Sequence, residues 1–250
     1  MKVAGLRYFG GRGDGELGPA DYYLEVEGRD VIRQVTVEPG KWECSVIEIP
    51  GGPLTLTDQE FDESESEGMA RITKKRFEEV WEEAVERTLE GVPVRFAKGD
   101  LFCDDSLDAL AHGCNCAGAM GRGIAVEFKK RWPGMYQEYR KRCSEGRFGL
   151  GEVFVWQDDG MTIFNLGTQL HWRESARIDA IRSAIAKTVD SGNSLGIKKL
   201  GLPRIGAGLG GIPWHYVRPI LAGAATKARF EMVIAERHLA RKPLKQVLPS

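Results

Sequence analysis

The chain is short of the features that mark membrane or secreted proteins. No apolar run approaches the roughly 20 residues of a spanning helix, and Met1-Lys2-Val3-Ala4-Gly5 lacks the apolar core of a signal peptide. A cytoplasmic protein with no membrane partner is expected. The five cysteines (Cys44, Cys103, Cys114, Cys116, Cys143) are odd in number and show no CxxC spacing, which argues against a disulfide framework or a zinc site. Reduced thiols, no metal and no required cofactor are expected. Net charge is nearly absent at −1. That balance hides an asymmetry: residues 1–92 hold 11 Lys/Arg against 21 Asp/Glu, whereas residues 93–250 hold 24 against 15. A basic second half suits an anionic ligand and equally suits its own acidic neighbour. Its cations are scattered rather than clustered with aromatics, so the signal for nucleic acid is weak.

What is present is glycine, in two concentrated places. From Lys198 to Val217 a short apolar run, Leu200 to Leu202, feeds Gly206, Gly208, Gly210 and Gly211, and Pro213 stands where a helix would begin. Glycines permit positive φ and remove Cβ atoms, so successive backbone N–H groups can turn towards a bound anion. A phosphate or diphosphate is the natural guest, a plain tight turn the alternative. About ninety residues earlier, Asn115 to Ala125 repeats the arrangement, with an apolar strand before it and a helical pattern, Ile124 to Trp132, after it. Two such loops can grip one ligand from both sides.

At 250 residues the chain suits two modest domains. Residues 1–92 read as a small α+β domain. Its first 20 residues, rich in glycine and charge, are expected to be a poorly ordered lead-in. Tyr22 to Val26 and Val31 to Val37 form a hairpin around Glu27-Gly28-Arg29-Asp30, and Cys44 to Ile49 adds a strand that ends at Pro50-Gly51-Gly52-Pro53. The acidic run Asp58 to Glu67 reads as a solvated loop. Thr73 then caps a helix whose Phe77, Val80, Trp81, Ala84 and Val85 share a face. No catalytic constellation is visible there, and an accessory or interaction role follows.

Residues 93–250 alternate strands and helices: Val94 to Ala97, Leu107 to Cys114, Ile124 to Trp132, Tyr136 to Arg142, Glu152 to Trp156, Met161 to Leu166, a helix capped by Ser175 and running to about Val189, the second glycine loop, Trp214 to Ala225, and Glu231 to Ala235. Within this frame Gly99-Asp100-Leu101-Phe102, Ala111-His112-Gly113-Cys114-Asn115-Cys116, Gly121-Arg122-Gly123-Ile124-Ala125 and Pro203 to Gly211 together resemble a macrodomain, the ADP-ribose-binding module. The branch most similar contains the terminal ADP-ribose glycohydrolase and the antitoxin that reverses DNA ADP-ribosylation. The resemblance implies a three-layer α/β/α fold with a mixed central sheet, and an ADP-ribosylated macromolecule as partner. It places Asp100, helped by the Leu101 backbone, on the adenine amine. Gly121, Arg122, Gly123 and Ile124 then follow the diphosphate and distal ribose. Gly206, Ala207, Gly208, Leu209 and Gly210 wrap the other side of the phosphates, with Asn115 on the distal ribose and Thr168 also among the ligand-binding residues.

Two departures bear on chemistry. The branch carries a lysine, just after the strand matching Met161 to Leu166, that attacks the ribose C1″. Here the segment is Thr168-Gln169-Leu170-His171-Trp172, and an amide at Gln169 cannot form that adduct. The acidic residue that follows the second loop in that branch is absent as well, since Gly210 or Gly211 stands there. Hydrolysis by a positioned water, a binding protein without turnover, and an ADP-ribose 1″-phosphate phosphatase all stay open. Asn115, His112 and His171 are the candidate catalytic groups. His112 can equally be a buried strand-end histidine, and His171 a loop histidine packed on Trp172.

Overall fold

The structure, a computed structural model, describes residues 5–48, 56–57, 60–64, 66 and 68–249. The chain divides into two compact units, Met1–Gly91 and Val92–Ser250. The first holds β1 (Arg7–Gly15), β2 (Gly18–Glu27), β3 (Asp30–Glu38), β4 (Lys41–Cys44), β5 (Met69–Arg71) and α1 (Lys74–Thr88). Its antiparallel sheet has the order β4-β3-β2-β1-β5. The β2–β3 hairpin turns at Gly28 as expected, and the Thr73 side chain accepts from the Arg76 N–H to cap α1. Phe77, Val80, Trp81, Ala84 and Val85 are all buried.

Three expectations for this unit are corrected. The glycine-rich lead-in is strand β1, because its glycines allow close packing rather than looseness: a Cβ on Gly11 would overlap the Gly68 carbonyl. The third strand ends at Cys44 rather than beginning there, since the Gly40 turn (φ +76°) starts the return early; Ile49 and the Pro50 to Pro53 break lie outside the described residues. In the acidic run, Asp58, Gln59, Glu65 and Glu67 are likewise outside. Its described part is tied down: Phe61 is buried against Phe9, Arg29 pairs with Glu60 and Asp62, and Arg71 pairs with Glu63.

The second unit contains β6 (Val94–Gly99), a 3₁₀ turn (Leu101–Cys103), β7 (Ala109–Asn115), α2 (Ala125–Arg131), α3 (Pro133–Ser144), β8 (Val153–Asp158), β9 (Met161–Gln169), α4 (Ile178–Leu195), β10 (Lys199–Pro203), α5 (Trp214–Ala225), β11 (Glu231–His238) and β12 (Lys245–Gln246). The sheet order is β12-β6-β11-β10-β7-β9-β8. The five central strands are parallel, and β12 and β8 run antiparallel at the edges, so the sheet is mixed. Phe128 of α2 and Met135 and Tyr139 of α3 bury one face. Helices α4 and α5 pack together on the other, completing three layers. The turn between β8 and β9 places Asp159 and Gly160 at φ +45° and +77°, the geometry that suits a two-residue hairpin.

Several helix boundaries differ from expectation. Arg177, not Ser175, is the first flanking residue of α4, and no side chain caps it. The helix continues past Val189 to Leu195 because tertiary packing outweighs local propensity. Gly192, a poor helix former, faces a place where a Cβ would lie 2.7 Å from the Phe230 ring. Pro133 begins α3 instead of only interrupting its predecessor.

Candidate functional site

The carboxyl ends of the five parallel strands converge on one cavity of about 1170 Å³, the usual ligand position in an open α/β sheet. Strand β6 delivers Asp100, β11 delivers Glu236 and His238, β10 delivers Pro203 and Arg204, β7 delivers Asn115, and β9 delivers Thr168 and Gln169. Two irregularities in strand register sit at this edge. On β9 the pairing skips Thr168, and on β11 it skips Glu236. Such bulges re-aim a side chain, and both skipped residues belong to the cavity wall.

The glycine loops form opposite walls. Gly121, Arg122, Gly123 and Ile124 come from the first, and Gly206, Gly208, Leu209 and Gly210 from the second. They meet across the cavity, since a Cβ on Gly123 would lie 3.2 Å from Leu209 Cδ1. The N–H groups of Ile205, Ala207, Gly211 and Ile212 bond within the second loop and hold its shape. The N–H groups of the eight wall residues just named have no hydrogen-bond partner among the described residues, which leaves them available to an anion. Gly206 has φ +71°, and a Cβ there would lie 2.5 Å from Ile181 Cδ1. Only glycine lets this loop rest so closely on α4.

The polar side chains fall into two classes. The Asp100 carboxylate is mostly buried and accepts from the N–H groups of Phe102 (3.1 Å) and Arg241 (2.9 Å), which fixes its aim at the cavity end. The Asn115 amide is occupied by its own loop: Oδ1 accepts from the N–H groups of Ala117 and Ala119 (both 3.1 Å), and Nδ2 donates to the Ala119 carbonyl (2.7 Å). Asn115 thus shapes the first loop, and it does so without left-handed backbone geometry. Gln169 Nε2 donates to the Glu174 carbonyl at 2.8 Å. Glu236 is buried and accepts from Trp214 Nε1 at 2.8 Å.

Four sequence-predicted residues are not in the wall. His112 is fully buried on the opposite side of β7, hydrogen-bonded through Nε2 to Asn165 Oδ1 (2.9 Å) and stacked on Phe128 (3.9 Å). Burial lowers its pKa from 6.5 to about 4, so it stays neutral and faces the core rather than a substrate. His171 packs on Trp172, ring centroids 3.7 Å apart, and it is the indole that reaches the cavity. Leu101 is buried in the core, and Ala207 is not among the lining residues. The wall also contains Phe102, Glu127, Arg131, Glu236, His238 and Arg241, which sequence reasoning missed. Glu236 left a signal: an acid directly after the buried run of β11.

The family model for the Macro domain matches residues 111–221. The human ADP-ribose glycohydrolase OARD1 is 30% identical over 132 residues, covering 53% of this chain and 84% of that protein. The chain belongs to the macrodomain family. The solved macrodomain of Mycobacterium tuberculosis DarG superposes with a TM-score of 0.54 at 33% identity, over 57% of this chain and 96% of that one. A Thermus aquaticus protein named DNA ADP-ribosyl glycohydrolase is 34% identical over 129 residues, which is 50% of this chain and 36% of the relative's length. The chain therefore spans little more than a third of that relative, and the likeness lies in the macrodomain unit.

Proposed function

We propose that the cavity of this macrodomain binds ADP-ribose and that the protein hydrolyses the bond joining ADP-ribose to a macromolecule. DNA is the carrier suggested by the name of the Thermus aquaticus relative. The observation that carries the reading is the set of eight available N–H groups on two facing glycine loops. They suit a diphosphate, with Asp100 placed to accept the adenine amine at one end and the β7 and β9 termini left for the distal ribose at the other. Gln169 cannot act as a covalent nucleophile, so the step assigned is direct attack by water. The water oxygen bonds to C1″, the bond from C1″ to the carrier breaks, and the water proton leaves with the carrier. In this reading Asn115 shapes the loop at the distal ribose, Thr168 lines it, and His112 has no catalytic part. The phosphatase alternative then loses its candidate histidine. Residues 1–91 are read as an accessory or interaction domain.

A second reading is a binding protein without turnover. It is favoured by the bond that ties the Gln169 amide to the Glu174 carbonyl. Calorimetric titration with ADP-ribose, and a turnover assay of the same sample on ADP-ribosylated DNA, ADP-ribosylated protein and ADP-ribose 1″-phosphate, separates the two. Binding with release of ADP-ribose from DNA is expected. Binding without product from any substrate establishes the second reading, and absence of binding overturns both.

A further inference from the structure

Two large apolar side chains of the cavity lining stay largely in water. Trp172 is 50% exposed and Leu209 is 65% exposed, and both belong to the wall. An indole half in water beside a cavity is an unused contact surface. Its place in the fold says which part of a ligand it meets. Strands β6 and β9 are separated by β11, β10 and β7, so the Asp100 end and the Thr168–Gln169 end lie about 19 Å apart at ordinary strand spacing. A ligand with its adenine at Asp100 brings its distal ribose to β9. Trp172, three residues beyond β9, meets what the ribose is attached to.

We propose that Trp172 is a stacking platform for the nucleobase that carries ADP-ribose, with His171 as the positioning residue that holds the indole; this rests on the ADP-ribose reading of the same cavity. The segment that carries the indole is tied down through its backbone and by one amide side chain. Gln169 bonds to the Glu174 carbonyl, the Glu174 N–H donates to the His171 carbonyl (3.0 Å), and the Arg173 N–H donates to His171 Nδ1 (3.3 Å). The N–H groups of Ala176 and Arg177 then anchor the segment to the carbonyls of Gly210 and Thr168 (2.8 and 2.9 Å). An indole on such a segment, packed on the His171 ring, loses less freedom on binding than one on a loose loop. Arg122 and Arg204, exposed in the lining of the same cavity, add positive charge. An aromatic platform beside cations is the combination that grips a single nucleic-acid strand, and a planar base is a better guest for it than a peptide side chain.

The test is equilibrium binding of free ADP-ribose, of a short single-stranded DNA carrying ADP-ribose on a base, and of an ADP-ribosylated peptide. Each is measured with the full chain and with Trp172→Ala and Trp172→Phe; where a probe is turned over, the comparison is read in kcat/KM. The wild type is expected to favour the modified DNA over free ADP-ribose by roughly 10-fold to 100-fold, the range of one stacked base. Trp172→Ala removes that advantage and leaves free ADP-ribose within about twofold, while Trp172→Phe keeps most of it. The proposal is overturned if Trp172→Ala weakens free ADP-ribose equally, leaves the modified DNA unchanged, or takes the same advantage from the peptide. Failure of the wild type to bind free ADP-ribose is a distinct result, and it removes the underlying reading instead.

Discussion

A buried glutamate of the first unit and a buried aspartate of the second are answered in different ways. In the first, Arg33 lies between Glu25 and Glu78, its guanidinium 4.9 Å from the Phe77 ring centroid and 5.0 Å from that of Trp81, and Tyr8 bonds to Glu25. Burial and that glutamate push the Tyr8 pKa up to about 12. Arg33 and Glu25 neutralise each other within the sheet, and Glu78 answers Arg33 from the helix. In the second unit the mostly buried carboxylate of Asp100 borders a cavity. It accepts from the backbone N–H groups of Phe102 and Arg241, which carry no formal charge. Buried charge that is neutralised in place contributes to the fold, whereas buried charge left facing a cavity remains available to a ligand.

The sharpest way to break that contrast is Arg33→Ala, which strands Glu25 without its countercharge. Denaturant unfolding should show a loss of about 3–5 kcal/mol in the first unit, while calorimetry should find ADP-ribose affinity unchanged. A tenfold loss of affinity would mean that the units do not keep separate accounts of charge. Asp100→Ala is the mirror experiment. Losing hydrogen bonds to a charged acceptor, each worth about 1.5–3 kcal/mol, should weaken ADP-ribose roughly 10-fold to 100-fold, and Arg33 should be untouched.

His112 sharpens the comparison inside the second unit, as a titratable group turned away from the cavity. Its folded pKa of about 4 lies below the ordinary 6.5, so the unfolded chain takes up the proton first as pH falls. The stability it confers is complete above pH 6.5 and is lost on descent towards pH 4. Between pH 7 and pH 5 the wild type should lose about 2 kcal/mol more than His112→Gln in urea titrations. Any turnover of the variant at pH 7 should match the wild type; its abolition would restore His112 as a catalytic residue. Gly206→Ala, blocked by Ile181 and strained at φ +71°, should cost about 1–3 kcal/mol in thermal melts. The smallest expected stability effect is that of Gly208→Ala, where an added Cβ meets nothing within 4 Å. Its melting temperature should be unchanged, and its methyl should still weaken ADP-ribose.

Much of the second unit was legible because its signals are local. Strand β10, its glycine loop and α5 follow one another within about 25 residues, and Asp100 directly follows a buried strand. The first unit was read less well. Glycines at 10, 11, 13 and 15 look like loop composition, and only the neighbouring strand and the Gly68 turn show that β1 needs them. His112 was ambiguous for a related reason. Alternation along β7 puts His112 and Cys114 on one face and Gly113 and Asn115 on the other, but which face meets α2 depends on Phe128, sixteen residues away.

By itself the sequence determined the alternation of strands and helices and the two glycine loops and their order. These rest on periodicity and turn chemistry within a short window; the adenine role of Asp100 and the Gln169 replacement were implied by the macrodomain resemblance. Only the tertiary structure decided that His112 faces the core, that Asn115 is consumed by its own loop, that Thr168 and Glu236 are turned to the cavity, and that Trp172 stands open at its mouth. A bulge of one residue or a neighbouring helix decides where a side chain points, and those contacts join residues far apart in the chain.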